Sequence, residues 1–468
     1  MIPTRRIAGS YAEKSHWLGM TVTLIVMLAL LMLLLGVRPA HAQTVEGSQP
    51  TRQQILERLS ALEAEIAQLK ATLQGAAPLA SPPAVDPPAS QQNTAGLDDL
   101  RGLTFGASLD TYYGYNFNQP VGRVNLLRAY DVLSNNFTIS QAGLVLEAAP
   151  RPDAGRRFGG RLDLQFGQAT ETLQGSLANE PRPWVYRNIF QAFGTYVAPV
   201  GSGLTIDFGK WASALGYENN YAKDQINYSR SYWFNFLPFY HAGGRVNYRF
   251  SDRVALNYWI TNGTQQTEEF NDFKDQFVGI VLQPAKSVTW NVQYYLGQER
   301  ADVEPIEQPG PPTLPTQPGL SVVPVDAFKG KLQIVDSYVT WTPSASTTVG
   351  LEGDYVTSQN PAPAAASRVS GGAAYFRRQL TPRSALGVRA ELLTDHDGLF
   401  SGQPQRLTDA TLTYDFRVND GFLVRTEWRR DGSNKPFFLG QTVDERKTSQ
   451  TTATLGLIWW WGNKRGAW

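Results

Sequence analysis

The chain has no cysteine and only four histidines among its 468 residues. The missing thiols exclude a disulfide framework and any thiolate-based metal or redox centre. Two histidines lie within the first 42 residues, and the other two, His241 and His396, stand in no hydrolase-like or cation-loop motif. No glycine-rich phosphate loop follows a strand-like segment either. We therefore expect a protein that is not an enzyme and that holds no cofactor and no metal.

Long apolar runs are also missing after residue 42. A membrane-spanning helix needs about 18 predominantly apolar residues, whereas the mean hydropathy of the chain is −0.30. The formal net charge of +1 offers no basic face for nucleic acid. These absences exclude a helical membrane protein and disfavour a partner made of nucleic acid.

The amino terminus has the three parts of a secretion signal. Arg5, Arg6 and Lys14 are basic, residues 20–35 form an apolar core, and residues 40–42 (AHA) form a small-residue cleavage site. We predict a signal peptide over residues 1–42, with an uncleaved membrane anchor as the alternative. The paired arginines suggest twin-arginine export. That route carries folded proteins, and a β-barrel cannot cross the inner membrane folded, so export of the unfolded chain is favoured.

Residues 43–75 are predicted to form a periplasmic helix. Its coiled-coil seam consists of six apolar residues spaced by four, three, four, three and four positions: Ile55, Leu59, Leu62, Ile66, Leu69 and Leu73. A helix of this length is barely stable alone in water. We expect it to associate only within a larger assembly, with a monomeric helix as the alternative. The Pro/Ala-rich residues 76–101 predict an extended linker.

From Gly102 to Trp461 the period changes to two. Between Val288 and Gln293, for example, three apolar side chains alternate with three polar ones. About sixteen such stretches of roughly ten residues follow one another, and short turns alternate with long connections. A soluble sandwich explains single alternating strands but not this pattern of connections. The sequence predicts an all-β membrane protein, with an antiparallel transmembrane β-barrel of about sixteen strands over residues 102–468 and both barrel ends in the periplasm.

The last predicted strand leaves two interpretations. Leu455, Leu457, Trp459 and Trp461 share one face, and a short stretch separates them from Trp468. Either Trp461 ends the strand with a tail behind it, or the register shifts.

Six segments within residues 102–461 carry a family resemblance. They are 108–120 (SLDTYYGYNFNQP), 143–147 (GLVLE), 208–210 (FGK), 215–218 (LGYE), 227–231 (NYSRS) and 238–243 (PFYHAG). In sequence and spacing they resemble the outer-membrane porins of the OmpL-like β-barrel family. The resemblance implies a barrel in the outer membrane of a Gram-negative cell, in contact with lipid. Because large porins are commonly trimers, we expect a homotrimer whose amino-terminal helices meet in the periplasm.

Charged residues on the predicted inward faces are candidates for the pore lining, because a barrel of about sixteen strands leaves an aqueous channel. They are Arg161, Asp163, Arg245, Arg249, Glu352, Asp354, Arg389, Glu391, Asp409, Asp415, Arg425 and Glu427. Mixed signs predict weak ion preference. Alternatively, pairs such as Arg161 with Asp163, or Arg389 with Glu391, only neutralise one another within the wall.

The connection from Ala212 to Phe239 is long, aromatic and charged. Such loops in compact proteins are usually functional, and the aromatic content disfavours disorder. By resemblance to general porins, whose third loop folds inward, we expect it to narrow the pore. The predicted constriction consists of Glu218, Lys223, Asp224 and Arg230. The alternative is an outward loop packed against its neighbours.

The favoured hypothesis is a water-filled channel for passive diffusion of small hydrophilic solutes and ions. A second is a non-conducting barrel that acts as a surface adhesin through its loops, including the Pro-rich stretch at 305–318. A third is a channel selective for sugars or organic acids, which would need aromatic residues such as Trp211, Trp259 and Tyr295 along one lumenal wall.

Overall fold

The computed structural model describes residues 102–174, 180, 183–305 and 322–468. The predicted signal peptide, coiled-coil helix and linker lie outside these residues, as does nearly all of the Pro-rich stretch. Within the described part of the chain, every helix is too short or too polar to span a membrane.

Sixteen antiparallel strands close into one barrel. They are β1 (Leu103–Asn116), β2 (Asn136–Ala148), β3 (Phe158–Phe166), β4 (Ile189–Ala198), β5 (Leu204–Ala212), β6 (Tyr240–Ser251), β7 (Val254–Thr261), β8 (Asp275–Ala285), β9 (Val288–Gly297), β12 (Leu332–Ser344), β13 (Thr347–Ser358), β14 (Ser367–Gln379), β15 (Ser384–Asp395), β16 (Gln405–Asn419), β17 (Phe422–Ser433) and β20 (Ser449–Gly462). Each pairs with the next one in this order, and β20 pairs with β1 to close the barrel. The expected strand number and antiparallel closure are confirmed.

Short pieces of secondary structure lie in the longer connections. Two small hairpins are β10 (Val303–Pro305) with β11 (Val322–Pro324) and β18 (Phe438–Leu439) with β19 (Arg446–Lys447). Three short helices are α1 (Ala169–Gln174), α2 (Pro183–Tyr186) and α3 (Tyr232–Phe236). Single 3₁₀ turns cover Val121–Arg123, Pro152–Ala154 and Ala222–Asp224.

The two rims of the barrel differ in the length of their connections. Turns such as the one between β6 and β7 lie at one rim, and long segments such as the one between β5 and β6 lie at the other. The start of β1 and the end of β20 share the short-turn rim, where Gly106 pairs with Gly462. Outer-membrane barrels have short periplasmic turns and longer extracellular loops. That this rim, with both ends of the barrel, faces the periplasm stays a prediction.

The two faces of the wall have opposite chemistry. Along β16, Asp409, Thr411 and Thr413 are buried on the inner face, whereas Leu412 points outward and is exposed. Large aromatic side chains on the outside include Phe137 and Phe208, which are 85% and 77% exposed. Soluble monomers rarely expose extensive apolar surface, whereas a barrel in lipid requires an apolar outer band. The outer face is built for contact with hydrocarbon.

The chain turns back into the barrel after β20. Trp461 lies at the end of this strand with its side chain on the outer face, and Gly462 turns the backbone with a φ of +118°. The ring of Trp468 then lies against Gly106, where an added Cβ would come within 2.6 Å of it. The structure therefore agrees with the interpretation in which Trp461 lies at the end of the last strand and a tail follows it. Residues 463–468 are called the terminal segment below.

Candidate functional site

The connection between β5 and β6, residues 213–239, lies inside the barrel and is called the inward loop. Gly216 adopts a φ of +87°, which favours glycine, and a 3₁₀ turn follows at Ala222–Asp224. The side chain of Ser231 caps α3 by accepting a hydrogen bond from the backbone N–H of Phe234. Tyr232 and Trp233 of α3 are fully buried. The loop therefore has the buried aromatic core of a folded element.

Carboxylates of the barrel wall accept hydrogen bonds from backbone N–H groups of the inward loop. Glu391 on β15 accepts from Tyr232 at 2.9 Å and from Trp233 at 3.0 Å. Glu427 on β17 accepts from Tyr228 and Ser229 at 2.5 and 2.9 Å. Backbone groups without a ladder partner need other acceptors when buried. These strand carboxylates supply the acceptors and fix the loop's position.

Two further wall carboxylates, one on β12 and one on β13, also accept hydrogen bonds from the inward loop. Glu352 on β13 accepts from the N–H of Tyr217 at 2.9 Å, and Asp336 on β12 accepts from that of Gly216 at 3.1 Å. Beyond these wall strands, the hydroxyl of Tyr228 reaches Asp110 on β1 at 2.9 Å. The inward loop thus reaches from β1 to β12 and β13 across the lumen.

Three buried arginines bind carbonyl groups of the same loop. Arg389 donates to the carbonyl of Ser229 at 2.7 Å, and Arg429 donates to that of Arg230 at 2.6 Å. Arg425 donates to three loop carbonyls, those of Ala222, Gln225 and Asn227, at 2.9, 2.8 and 3.1 Å.

Each of these arginines is also paired with an aspartate of the wall. Arg389 pairs with Asp409 at 3.1 Å, Arg425 with Asp415 at 2.6 Å, and Arg429 with Asp431 at 2.7 Å. Charged hydrogen bonds are about twice as strong as neutral ones. The arrangement holds the loop chiefly through its backbone.

The four predicted constriction residues fall into two groups. Glu218 accepts from Arg389 at 3.0 Å and from the N–H of Ser231 at 2.6 Å, and Arg230 donates to loop carbonyls. These two side chains stabilise the inward loop itself. Whether they also form the constriction stays a prediction.

The other two constriction candidates face the terminal segment. Lys223 and Asp224 form an ion pair at 2.7 Å. The ammonium of Lys223 donates to the carbonyl of Gly466 at 3.0 Å, lies 4.5 Å from the ring centre of Trp468, and has its pKa lowered by burial. The backbone N–H of Trp468 donates to Asp224 at 3.0 Å. The terminal segment is therefore docked on the inward loop within the lumen.

The remaining pore-lining candidates lie on the inner face, near the loop or below it. Arg161 binds Asp163 through two hydrogen bonds of 2.8 Å. Arg245 pairs with Asp207 at 2.7 Å, and Arg249, on the same face towards the short-turn rim, is exposed. Glu352 and Asp354 lie with Asp336 in one cluster. Lining of a conducting pore by these residues stays a prediction.

Aromatic residues line one lumenal wall from β5 to β9. The rings of Trp211 and Trp259 have centres 5.8 Å apart, and Trp259 stacks on Phe277 at 3.9 Å. His241 lies 5.4 Å from Tyr295 and 5.5 Å from Trp259. All five are buried, and the four other than His241 pack with the inward loop in one hydrophobic cluster. The aromatic residues lie side by side, but the loop covers them.

Comparison with known proteins gives the family. The sequence matches the family described as putative beta-barrel porin-2, OmpL-like, over residues 102–459. The chain belongs to this family. It is thus an outer-membrane β-barrel porin, and porins are normally not enzymes. None of the curated proteins matches the sequence.

Several solved structures resemble this porin. OprB of Pseudomonas putida is 12% identical, with 79% of this chain and 96% of that chain covered and a TM-score of 0.49. The outer-membrane channel DcaP of Acinetobacter baumannii is 9% identical, with 77% and 97% covered and a TM-score of 0.48. OmpT of Vibrio cholerae is 10% identical, with 77% and 97% covered and a TM-score of 0.47. At these scores the similarities carry nothing about solutes.

Several charged residues that connect elements inside the porin's lumen are not among the residues predicted from sequence. Asp336, Arg429 and Asp431 alternate with outward residues on their strands, so period-two alternation could have identified them. Arg128, in the connection between β1 and β2, pairs with Asp431 at 2.6 Å. No local pattern reveals that this connection also turns inward, because its partner lies far away in sequence.

Proposed function

We propose that this porin is a narrow, water-filled channel for passive diffusion of small hydrophilic solutes and ions across the outer membrane. The observation that carries the proposal is a closed sixteen-stranded barrel with a charged inner face. Towards the short-turn rim, Arg249 is exposed, and Arg245, Asn247 and Asn257 are only half-buried. Water therefore reaches the lower part of the lumen between β6 and β7.

We propose that the passage is narrowest at the inward loop. Glu218, Lys223, Asp224 and Arg230 are the proposed constriction residues. Lys223 pairs with Asp224, and Glu218 pairs with Arg389 of the wall. Paired signs favour weak ion preference, because nearby opposite charges cancel much of each other's field. Large solutes would be excluded by the loop backbone, which is fixed to the wall.

A specific observation favours a second candidate, a barrel that does not conduct. The inward loop reaches from β1 to β13, and the terminal segment docks beneath it at Lys223 and Asp224. If these two elements close the lumen, the long extracellular connections become the functional surface, and binding to cells or polymers is the remaining role. The aromatic wall gives less support to a selective sugar or acid channel, because it is covered by the loop.

Planar bilayer recording separates the first two candidates. Purified porin at nanomolar concentration is expected to give discrete conductance steps, a reversal potential close to zero in a salt gradient, and exclusion of solutes above a small size. A protein that is folded by circular dichroism and gives no steps would contradict the channel and favour the binding role. Loop-deletion variants would then test adhesion to cells.

We also propose that the chain assembles as a homotrimer, supported by the seam from Ile55 to Leu73. Native mass spectrometry of the chain from residue 43 is expected to give a trimer. Removal of residues 43–75 is expected to weaken it. A monomer for the longer chain would contradict the proposal.

A further inference from the structure

Three carboxylates lie together where the inward loop meets β12 and β13. They belong to Asp336, Glu352 and Asp354, and one oxygen of each lies within 4.8 Å of the others. Asp336 is directly opposite Asp354 in the pairing of β12 with β13, and Glu352 is two positions before Asp354 on the same face. The cluster thus rests on regular strands whose positions are fixed by the barrel.

The cluster has no basic partner among the described residues, unlike three buried aspartates elsewhere in the lumen. Asp409, Asp415 and Asp431 each pair with an arginine. No ion pair within the described residues includes any member of the cluster. Buried anions are costly unless they are paired or bound to a metal. Such a cluster is neutralised either by protonation of its carboxyl groups or by a bound cation.

Hydrogen bonds satisfy only part of the cluster. Glu352 accepts from the N–H of Tyr217 at 2.9 Å and from the hydroxyl of Tyr375 at 2.8 Å, and Asp336 accepts from the N–H of Gly216 at 3.1 Å. Asp354 is only 5% exposed, and neither of its oxygens has a hydrogen-bond partner. The second oxygen of Asp336 has none either.

An amide on the next strand adds a further oxygen without a partner. Gln293 lies directly opposite Asp336 in the pairing of β9 with β12 and is 4% exposed. Its Nε2 donates to the carbonyl of Ala214 at 2.8 Å, whereas its buried Oε1 has no hydrogen-bond partner. Carboxylate and amide oxygens are the ligands that Ca²⁺ takes in proteins. The strand register therefore places a buried amide oxygen of the right chemistry beside the three carboxylates.

We propose that Asp336, Glu352 and Asp354, with Gln293 beside them, bind one divalent cation and that this ion ties the inward loop to the wall. Two oxygens bound to one Ca²⁺ at about 2.4 Å can be at most about 4.8 Å apart, a limit that the cluster meets. Mg²⁺ demands shorter bonds and near-ideal octahedral geometry, so Ca²⁺ is the expected ion. No metal is expected from the sequence alone, because the proposed ligands come from three strands rather than from one loop motif.

Terbium luminescence tests this site directly. Tb³⁺ replaces Ca²⁺ at oxygen sites and emits when nearby tyrosines are excited, and the Tyr375 hydroxyl contacts Glu352. Folded porin in detergent, stripped with a chelator and desalted, is titrated with TbCl₃. We expect a saturable signal with one ion per chain, displaced by CaCl₂ at a lower concentration than by MgCl₂. Absence of a saturable signal from the unaltered chain would overturn the proposal without any variant.

A matched pair of variants locates the ion. Asp354→Asn removes one of three charges while keeping the shape, and we expect at least about tenfold weaker Tb³⁺ binding. Asp207→Asn is the control, because this lumenal carboxylate pairs with Arg245 at 2.7 Å and lies outside the cluster. Equal weakening in both variants would overturn the assignment. No transport is measured, so failure here is distinguishable from failure of the proposed channel.

Discussion

Arg389→Met should release the inward loop from the wall. Arg389 is fully buried and donates to Asp409 at 3.1 Å, Glu218 at 3.0 Å and the carbonyl of Ser229 at 2.7 Å. Methionine keeps much of the side-chain length but provides no charge and no donor. Asp409 keeps its ion pair with Arg429. Glu218 and the Ser229 carbonyl lose a charged donor.

The expected size of this effect follows from burial. Removing one partner of a buried ion pair costs about 3–5 kcal/mol, because the other charge is left uncompensated. At about 1.4 kcal/mol for each factor of ten, the population with a released loop should increase roughly 100- to 4,000-fold. The barrel ladder itself is untouched, so the strands should remain folded.

Limited trypsin digestion measures this population, because the inward loop contains Lys223 and Arg230. Cleavage follows the open fraction when reclosing is fast compared with cutting. We expect the Arg389→Met barrel to be cut at these two residues at least about a hundred times faster than the unaltered barrel, by the same conversion.

Arg377→Met is the matched control for this digestion. It also removes a lumenal arginine, but the contacts of Arg377 go to Gln379 and Asp415 rather than to the loop. We expect its digestion to match that of the unaltered chain. If Arg389→Met were cut no faster than Arg377→Met, the view that these charges hold the loop would be refuted.

The remaining predictions concern the other contacts of the lumen and the lipid face. Arg425→Met, which removes the donor to three loop carbonyls, should accelerate the same digestion, and an unchanged rate would contradict its role. Trp468→Ala and Gly106→Ala should both raise single-channel conductance by displacing the terminal segment, because an added Cβ at Gly106 would lie 2.6 Å from the Trp468 ring. Gly194→Ala is the control, because an added Cβ there meets open space. Equal conductance in all three variants would count against a docked segment. Phe208→Lys should lower the free energy of unfolding in lipid vesicles by about 2–4 kcal/mol relative to Phe208→Leu, as measured by urea titration, and equal stabilities would contradict a lipid-facing position.

The barrel could be predicted from sequence because its signal is local. Each strand carries its own apolar and polar alternation, and each turn follows within a few residues. The long connection predicted from Ala212 to Phe239 corresponds to the observed loop at 213–239. Sequence alone leaves two ends possible for β20, because the outward Trp461 and the inward Trp468 are both aromatic. Only the fold of the terminal segment distinguishes their roles.

The partners inside the lumen could not be predicted, because they lie far apart in the chain. Pairing of Arg161 with Asp163 was one of the sequence-based alternatives, and the structure has this contact. Arg389, however, pairs with Asp409 and Glu218, while Glu391 accepts hydrogen bonds from loop N–H groups. Alternation assigns a side chain to a face of the wall, but the loop that folds over that face decides its partner.

Single-channel recording before and after release of the inward loop tests the central claim most directly. The unaltered porin should give small, discrete conductance steps in a planar bilayer, and Arg389→Met should enlarge them because the loop no longer narrows the lumen. Steps of unchanged size in a variant whose loop is shown by trypsin to be released would contradict a constriction at the inward loop. A complete lack of steps in both proteins would contradict the channel itself.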